Sequence, residues 1–168
     1  MPNLFELSDA CISPCGLYRY SLSRAWDFDL TKPRVGWIML NPSTADAEVN
    51  DPTIRRCMEF SRTWGFHGIA VRNLFAVRTY SPIEMKNHAD PIGNENDKAI
   101  LDLIGACPLI VAAWGTHGGY KQRDNHVVRI VRETGAKLHC LGTTKEGFPK
   151  HPLYVKGDVK PVPFEPPG

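Results

Sequence analysis

The sequence predicts one α/β domain: a mainly parallel, four-stranded central sheet flanked by helices, with a further N-terminal strand added at an edge. Three observations carry this. Apolar runs at 35–40, 69–77, 109–114 and 137–141 have the composition of short strands buried on both faces. The segments between them space their apolar residues as helices do, and strand–helix alternation of this kind builds a parallel sheet. Each run also gives way to polar, Gly or Pro residues, and right-handed crossovers bring such ends to one rim. A length of 168 residues fits one domain with a proper core. Within it, 1–16 reads as an arm, 17–155 as the core and 156–168 as an extended tail.

The arm holds Ser, Pro, Gly and Cys with little periodicity. Residues 17–26 alternate loosely between apolar and polar, as an edge strand would. The central strand is Val35-Gly36-Trp37-Ile38-Met39-Leu40, stopped by Asn41-Pro42, because proline lacks an N–H and holds its predecessor extended. Asp51 caps the next helix and Pro52 fits its first position. Ile54, Cys57, Met58, Ser61 and Trp64 then fall on one face, and Gly65 ends the helix. The second strand, Gly68 to Val77, carries Asn73 among apolar neighbours. Ser81-Pro82 starts a short helix, and Ile100, Leu101, Leu103 and Ile104 mark the buried side of a longer one over 95–107. Pro108 to Trp114 is a third strand, ending in the loop Gly115-Thr116-His117-Gly118-Gly119. A helix over about 123–134 and a short strand at 137–141 follow, and the last loop runs to Tyr154.

Composition excludes several classes. Hydrophobic content of 42% and charged content of 23% are those of a soluble globular protein. The apolar runs are too short to span a membrane, and the N-terminus lacks a signal-peptide pattern, so the expected location is the cytoplasm. Five scattered cysteines argue against a disulfide framework. Cys11 and Cys15 have the spacing of half a metal or iron–sulfur site, but no second close pair answers them, so no metal and no other cofactor is expected. A net charge of +2 makes no global case for nucleic acid; a local basic patch would have to carry it. Walker and Gly-x-Gly-x-x-Gly motifs are absent, so neither nucleoside triphosphate nor dinucleotide binding is indicated. Oligomeric state is not legible.

The rim collects Asn41, Pro42, Ser43, Thr44 and Asp46 from the first strand end, Asn73 from the second, Thr116 and His117 from the third, and His151 from the last loop. In open α/β sheets ligands bind at this edge. Each residue also has a plainer role open to it. The first loop reads equally well as an ordinary polar connection, Asn73 as a bond to backbone, His117 as a packing residue and His151 as a surface residue.

Four segments, in order, resemble the uracil-DNA glycosylase superfamily. Leu40-Asn41-Pro42 resembles its water-activating motif, Arg72 to Arg78 the strand whose Asn reads the base, and Ala113-Trp114-Gly115-Thr116-His117 its third strand end. His151-Pro152-Leu153 resembles its His-Pro loop, which inserts into DNA beside a catalytic His. Within that frame, Leu40 to Asp46 together with Asp51-Pro52-Thr53-Ile54-Arg55-Arg56 is similar to domain of unknown function 1643, over most of 17–155. The chain departs from the glycosylases in lacking the second proline of the His-Pro-Ser-Pro loop, in Leu40 where a Gly is common, and in Ser43, Thr44 and Asp46 after Pro42.

The resemblance implies cleavage of a base–sugar bond by water, on a base in DNA or on a nucleotide. Asn41 would orient the water, Asp46 would assist as base, and His151 would stabilise the departing base. Asn73, with a donor and an acceptor, suits a base edge. Pro42, Ser43, Thr44, Thr116 and His117 would line the substrate, and Arg55 and Arg56 at a helix start would meet phosphate, unless they only form a solvated helix face. Two other functions stay open: an enzyme on free modified nucleosides or nucleotides, and a nucleic-acid-binding module that retains the fold without the chemistry. The partner is DNA or a nucleoside or nucleotide in each case, and no membrane.

Overall fold

Strand β3, Val35–Met39, is buried at all five positions and runs parallel to a neighbour on each side. Its alternation divides the core. Val35, Trp37 and Met39 join one apolar cluster with Ile54, Cys57, Met58 and Phe60 of helix α1, Pro52–Thr63. Ile38 faces the other cluster, with Ile100 and Leu103 of α3, Asn96–Ala106, and Val127 and Val131 of α4, Arg123–Glu133. Gly36 lies on that second face too, where an added Cβ would fall 2.7 Å from the Ile110 side chain, so glycine allows the helix layer to approach. On the first face Trp37 stacks on Trp64 at 5.7 Å and donates its indole N–H to Ser61 at 3.1 Å. The polar atom of a buried indole needs such a partner.

The computed structural model describes residues 7–27, 29 and 31–166. In chain order the remaining elements are β1 (Leu7–Ile12), β2 (Arg19–Ala25), β4 (Gly68–Asn73), α2 (Pro82–Asn87), β5 (Leu109–Ala112), β6 (His139–Cys140) and β7 (Val162–Pro163). Tight 3-10 turns occupy Thr116–Gln122 and Pro152–Tyr154. The α/β reading holds, but the sheet does not have the expected form. It is seven-stranded and mixed, in the order β1-β2-β4-β3-β5-β6-β7, rather than four-stranded and mainly parallel. The strands β4, β3, β5 and β6 are mutually parallel, whereas β1, β2 and β7 pair antiparallel.

Each added strand lies where the sequence carries no periodic signal. The part of the arm that the structure describes contains β1, whose side chains are partly buried or exposed, so backbone pairing rather than apolar burial holds it. It covers β2, which is therefore an inner strand and not the expected edge. In the tail, β7 pairs with β6, and Phe164 is buried edge-on against Trp114. The second strand also stops earlier than expected, at Asn73. Beyond it, the carbonyls of Asn73 and Leu74 accept from the Asn96 side chain, each at 2.9 Å, and Leu74 also accepts from Arg123 at 2.7 Å. Side chains from two helices thus replace a strand partner at that point.

Asn96 is fully buried and satisfies two carbonyls at once. Asn96→Ala is therefore expected to destabilise the protein by about 2 kcal/mol, because buried acceptors left unpaired cost their desolvation. Urea unfolding checks this, and a change under 0.5 kcal/mol, roughly the net worth of one weak bond, would remove the bracing role.

Candidate functional site

The C-terminal ends of β3 and β4 and the residues just past β5 open into one cleft of about 680 Å³. The loop from Gly142 to His151 forms a further wall. It is tied to the strand layer by the Gly115 N–H, which donates to the Pro149 carbonyl at 2.9 Å, and by Lys150 N–H, which donates to Gly142 at 2.9 Å. Gly115 adopts φ +73°, a left-handed turn that glycine takes without strain and that swings the chain out of β5.

Asn41, Pro42, Ser43, Asn73, Thr116, His117 and His151 all line this cleft. The Asn41 amide nitrogen donates to the Pro42 carbonyl at 3.1 Å and to the Thr79 hydroxyl at 3.0 Å. With its N–H groups so engaged, the Asn41 carbonyl oxygen is the atom left to accept from a water. Asn73 is 2% exposed, and its side-chain amide has no hydrogen-bond partner among the described residues. The amide atoms are not among the polar atoms sealed from solvent without a partner, so they reach the cleft, where the donor and the acceptor can each meet a ligand.

His151 Nδ1 accepts the Leu153 backbone N–H at 3.2 Å. The neutral ring then carries its proton on Nε2 and is a donor there. Burial pushes its pKa below the usual 6.5, with Asp51 pulling the other way, so the neutral donor form prevails at neutral pH. At His117, Lys86 donates to Nδ1 at 3.1 Å, which again leaves the proton on Nε2; burial and the lysine charge lower its pKa.

Four of the expected residues stand elsewhere. Asp46 does not line the cleft. Its carboxylate accepts the backbone N–H groups of Glu48 and Val49, both at 2.8 Å, and these hold its pKa below the usual carboxylate range. A carboxylate so engaged is a weaker base and is turned into its own loop. Thr44 is exposed and outside the lining. Arg55 donates to the Asn50 carbonyl at 3.2 Å. Arg56 donates to the carbonyls of Val155 at 2.6 Å and Pro152 at 3.4 Å, with its guanidinium over Phe60. Arg56 thus braces the loop that presents His151 rather than meeting a ligand.

Several lining residues were missed. Asp51 was read only as a helix cap, and one of its oxygens does accept from Ile54 N–H at 2.8 Å, yet the residue also borders the cleft. Arg19, at the start of β2, is 2% exposed and donates to the Ala45 carbonyl at 2.8 Å. Burial lowers its pKa to about 10, which leaves it charged at neutral pH. An arginine in an alternating segment looks solvent-facing, and nothing local signals that the loop after β3 meets its guanidinium through the Ala45 carbonyl. Thr53, Thr79, Trp114, Thr144 and Lys150 complete the polar and aromatic lining, while Tyr80 and Tyr154 stand at the mouth, 82% and 83% exposed. Among the described residues no group of three or more His, Cys, Asp or Glu side chains is placed to hold a metal ion. No helix among them is long and apolar enough to cross a membrane.

A family model, Protein of unknown function (DUF1643), matches residues 19–153, a span that contains every residue of the cleft except Tyr154. The chain belongs to that family. No curated protein and no solved structure matches it.

The His151 geometry has a consequence for stability. Its folded pKa lies below its unfolded value, so stability linked to the neutral ring is complete above pH 6.5 and is lost as pH falls toward the folded pKa. As pH falls below 6.5 the melting temperature of the wild type should therefore drop more steeply than that of His151→Gln. Parallel curves would show that the ring titrates as it does in the unfolded chain.

Proposed function

We propose that this protein hydrolyses the bond between a nucleobase and its sugar. One observation carries the reading: a water-orienting carbonyl at Asn41, a neutral ring donor at His151 and the Asn73 amide, which bonds no other described residue, share one cleft. These are the groups such a reaction needs. Asn73 pairs with the edge of the base. As the C1′–N bond breaks, its electron pair leaves with the base, and the Nε2–H of His151 stabilises the charge on an exocyclic oxygen of the base. The sugar becomes cationic, and a water held by the Asn41 carbonyl adds at C1′.

Asn41 cannot remove the water's proton, and Asp46 is tied into its loop. Asp51 takes the role earlier given to Asp46, because it is the carboxylate that borders the cleft. One of its oxygens is committed to the helix cap; the other is available to favour the sugar cation and to receive the proton once the water has added. Because the proton leaves late in such a reaction, the carboxylate need only receive it once the new C–O bond has formed.

Asn41→Ala and His151→Ala are each expected to slow base release by roughly a hundred- to a thousandfold, the usual cost of one charge-stabilising or positioning group. Asp51→Asn keeps the helix cap and should also slow release, whereas Asp46→Asn keeps its loop bonds and should leave it nearly unchanged. The measurement is free base released from nucleosides, nucleotides and single-stranded DNA, followed by chromatography. Absence of release from all three by the wild-type protein would overturn the enzyme reading.

A further inference from the structure

Arg19 is a buried, charged residue of the cleft that the reaction just described does not use. It is 2% exposed, yet it belongs to the lining. Of its three guanidinium nitrogens, Nη1 donates to the Ala45 carbonyl at 2.8 Å. Nε and Nη2 have no protein partner among the described residues, and Nε is fully buried. No carboxylate lies within ion-pairing distance of the guanidinium among those residues; Asp51 and Asp46 act on it only at longer range, against the like charges of Arg78 and Arg24. A buried charge left without a counter-charge is costly, and such groups are ordinarily paired.

The surroundings indicate what pairs it. The charged residues of the lining are Arg19 and Lys150 against Asp51, with the two histidines neutral, so the cleft has an excess of positive charge. Thr53, in the first turn of α1, borders the same space; Pro52 has no N–H and the Ile54 N–H is taken by Asp51, so the Thr53 N–H is the one this turn leaves for an anion. With Nε sealed from solvent, Nη2 is the unpartnered nitrogen open to an anionic oxygen, in a guanidinium whose planar fork suits such groups.

We infer that Arg19 is the anchor of a phosphate subsite, and that the substrate enters the cleft as a phosphate ester rather than as a bare nucleoside. Lys150 and the first turn of α1 contribute to the same subsite, and Asp51 stays on the sugar side through its cap bond. The assignment of the phosphate to a nucleotide rests on the base–sugar reading above; the anion subsite does not. A free nucleotide and a DNA strand both supply this chemistry.

The test compares inorganic phosphate, the four deoxynucleosides, their 5′-monophosphates and a short single-stranded oligonucleotide, by thermal shift and calorimetry on the full chain. Phosphate should raise the melting temperature of the wild type. At least one monophosphate should bind about ten- to a hundredfold tighter than its nucleoside, the worth of charge-assisted hydrogen bonds. Arg19→Gln should abolish that preference without changing nucleoside affinity. Where that variant does not fold, Arg19→Lys keeps the buried charge but loses the fork, and should reduce the preference severalfold. Tighter binding of the monophosphate than of the oligonucleotide identifies a free nucleotide, and the reverse identifies a strand. No response to phosphate in any form, or an undiminished preference in Arg19→Lys, overturns the subsite. Phosphate preference without base release keeps the subsite and removes the hydrolase reading. Release from nucleosides as fast as from nucleotides keeps that reading and removes the subsite.

Discussion

Burial of β3 on both faces is the constraint from which the rest follows. A strand with Trp37 toward one helix layer and Ile38 toward the other can lie only in the middle of a sheet that helices cover on both sides. Parallel neighbours meet that demand, and they carry their own chain onward through helices on either face. The apolar run has to end somewhere, and it ends at Asn41-Pro42, where polar side chains can emerge only at the strand's C-terminal edge. The cleft is thus a consequence of how the core is made.

Arginines brace the site from beneath. On β2, Arg19 and Arg24 hold the carbonyls of Ala45, Asp46 and Val49, and Arg24 also donates to the Asn50 side chain at 2.7 Å. They fix the loop that delivers Asp51 to α1. Arg56 clamps the backbone after His151, and Arg123 holds the Leu74 carbonyl beside Asn73. Three walls of the cleft are in this way held by guanidinium bonds to backbone carbonyls. Such forked donors immobilise loops that have little apolar surface of their own. A positioned water and a positioned base both require that rigidity, since misplacement by an ångström costs rate steeply.

The apolar runs and helical spacings made the four parallel strands and their helices legible, because burial on two faces writes itself into every residue of a short segment. The helix boundaries at Asp51-Pro52 and Ser81-Pro82 were equally clear. In both, the side chain accepts the N–H three residues on. The strands β1 and β7 were not legible: backbone pairing at a sheet edge asks almost nothing of the side chains, so the arm and the tail carry no period to read.

For the site, the apolar runs giving way to polar residues were legible, and they put Asn41, Asp46, Asn73 and His117 at or just past strand ends, with His151 in the last loop. All of these but Asp46 line the cleft. Folding of one loop separates Asp46 from Asp51, five residues apart, by sending one carboxylate into a turn and the other to a helix start on the cleft. It also decided Arg19. Whether a strand arginine faces solvent or a ligand depends on what lies over it, and here the loop after β3 brings the Ala45 carbonyl onto its guanidinium. Periodicity reports the face on which a residue lies; it does not report what the rest of the molecule lays over that face.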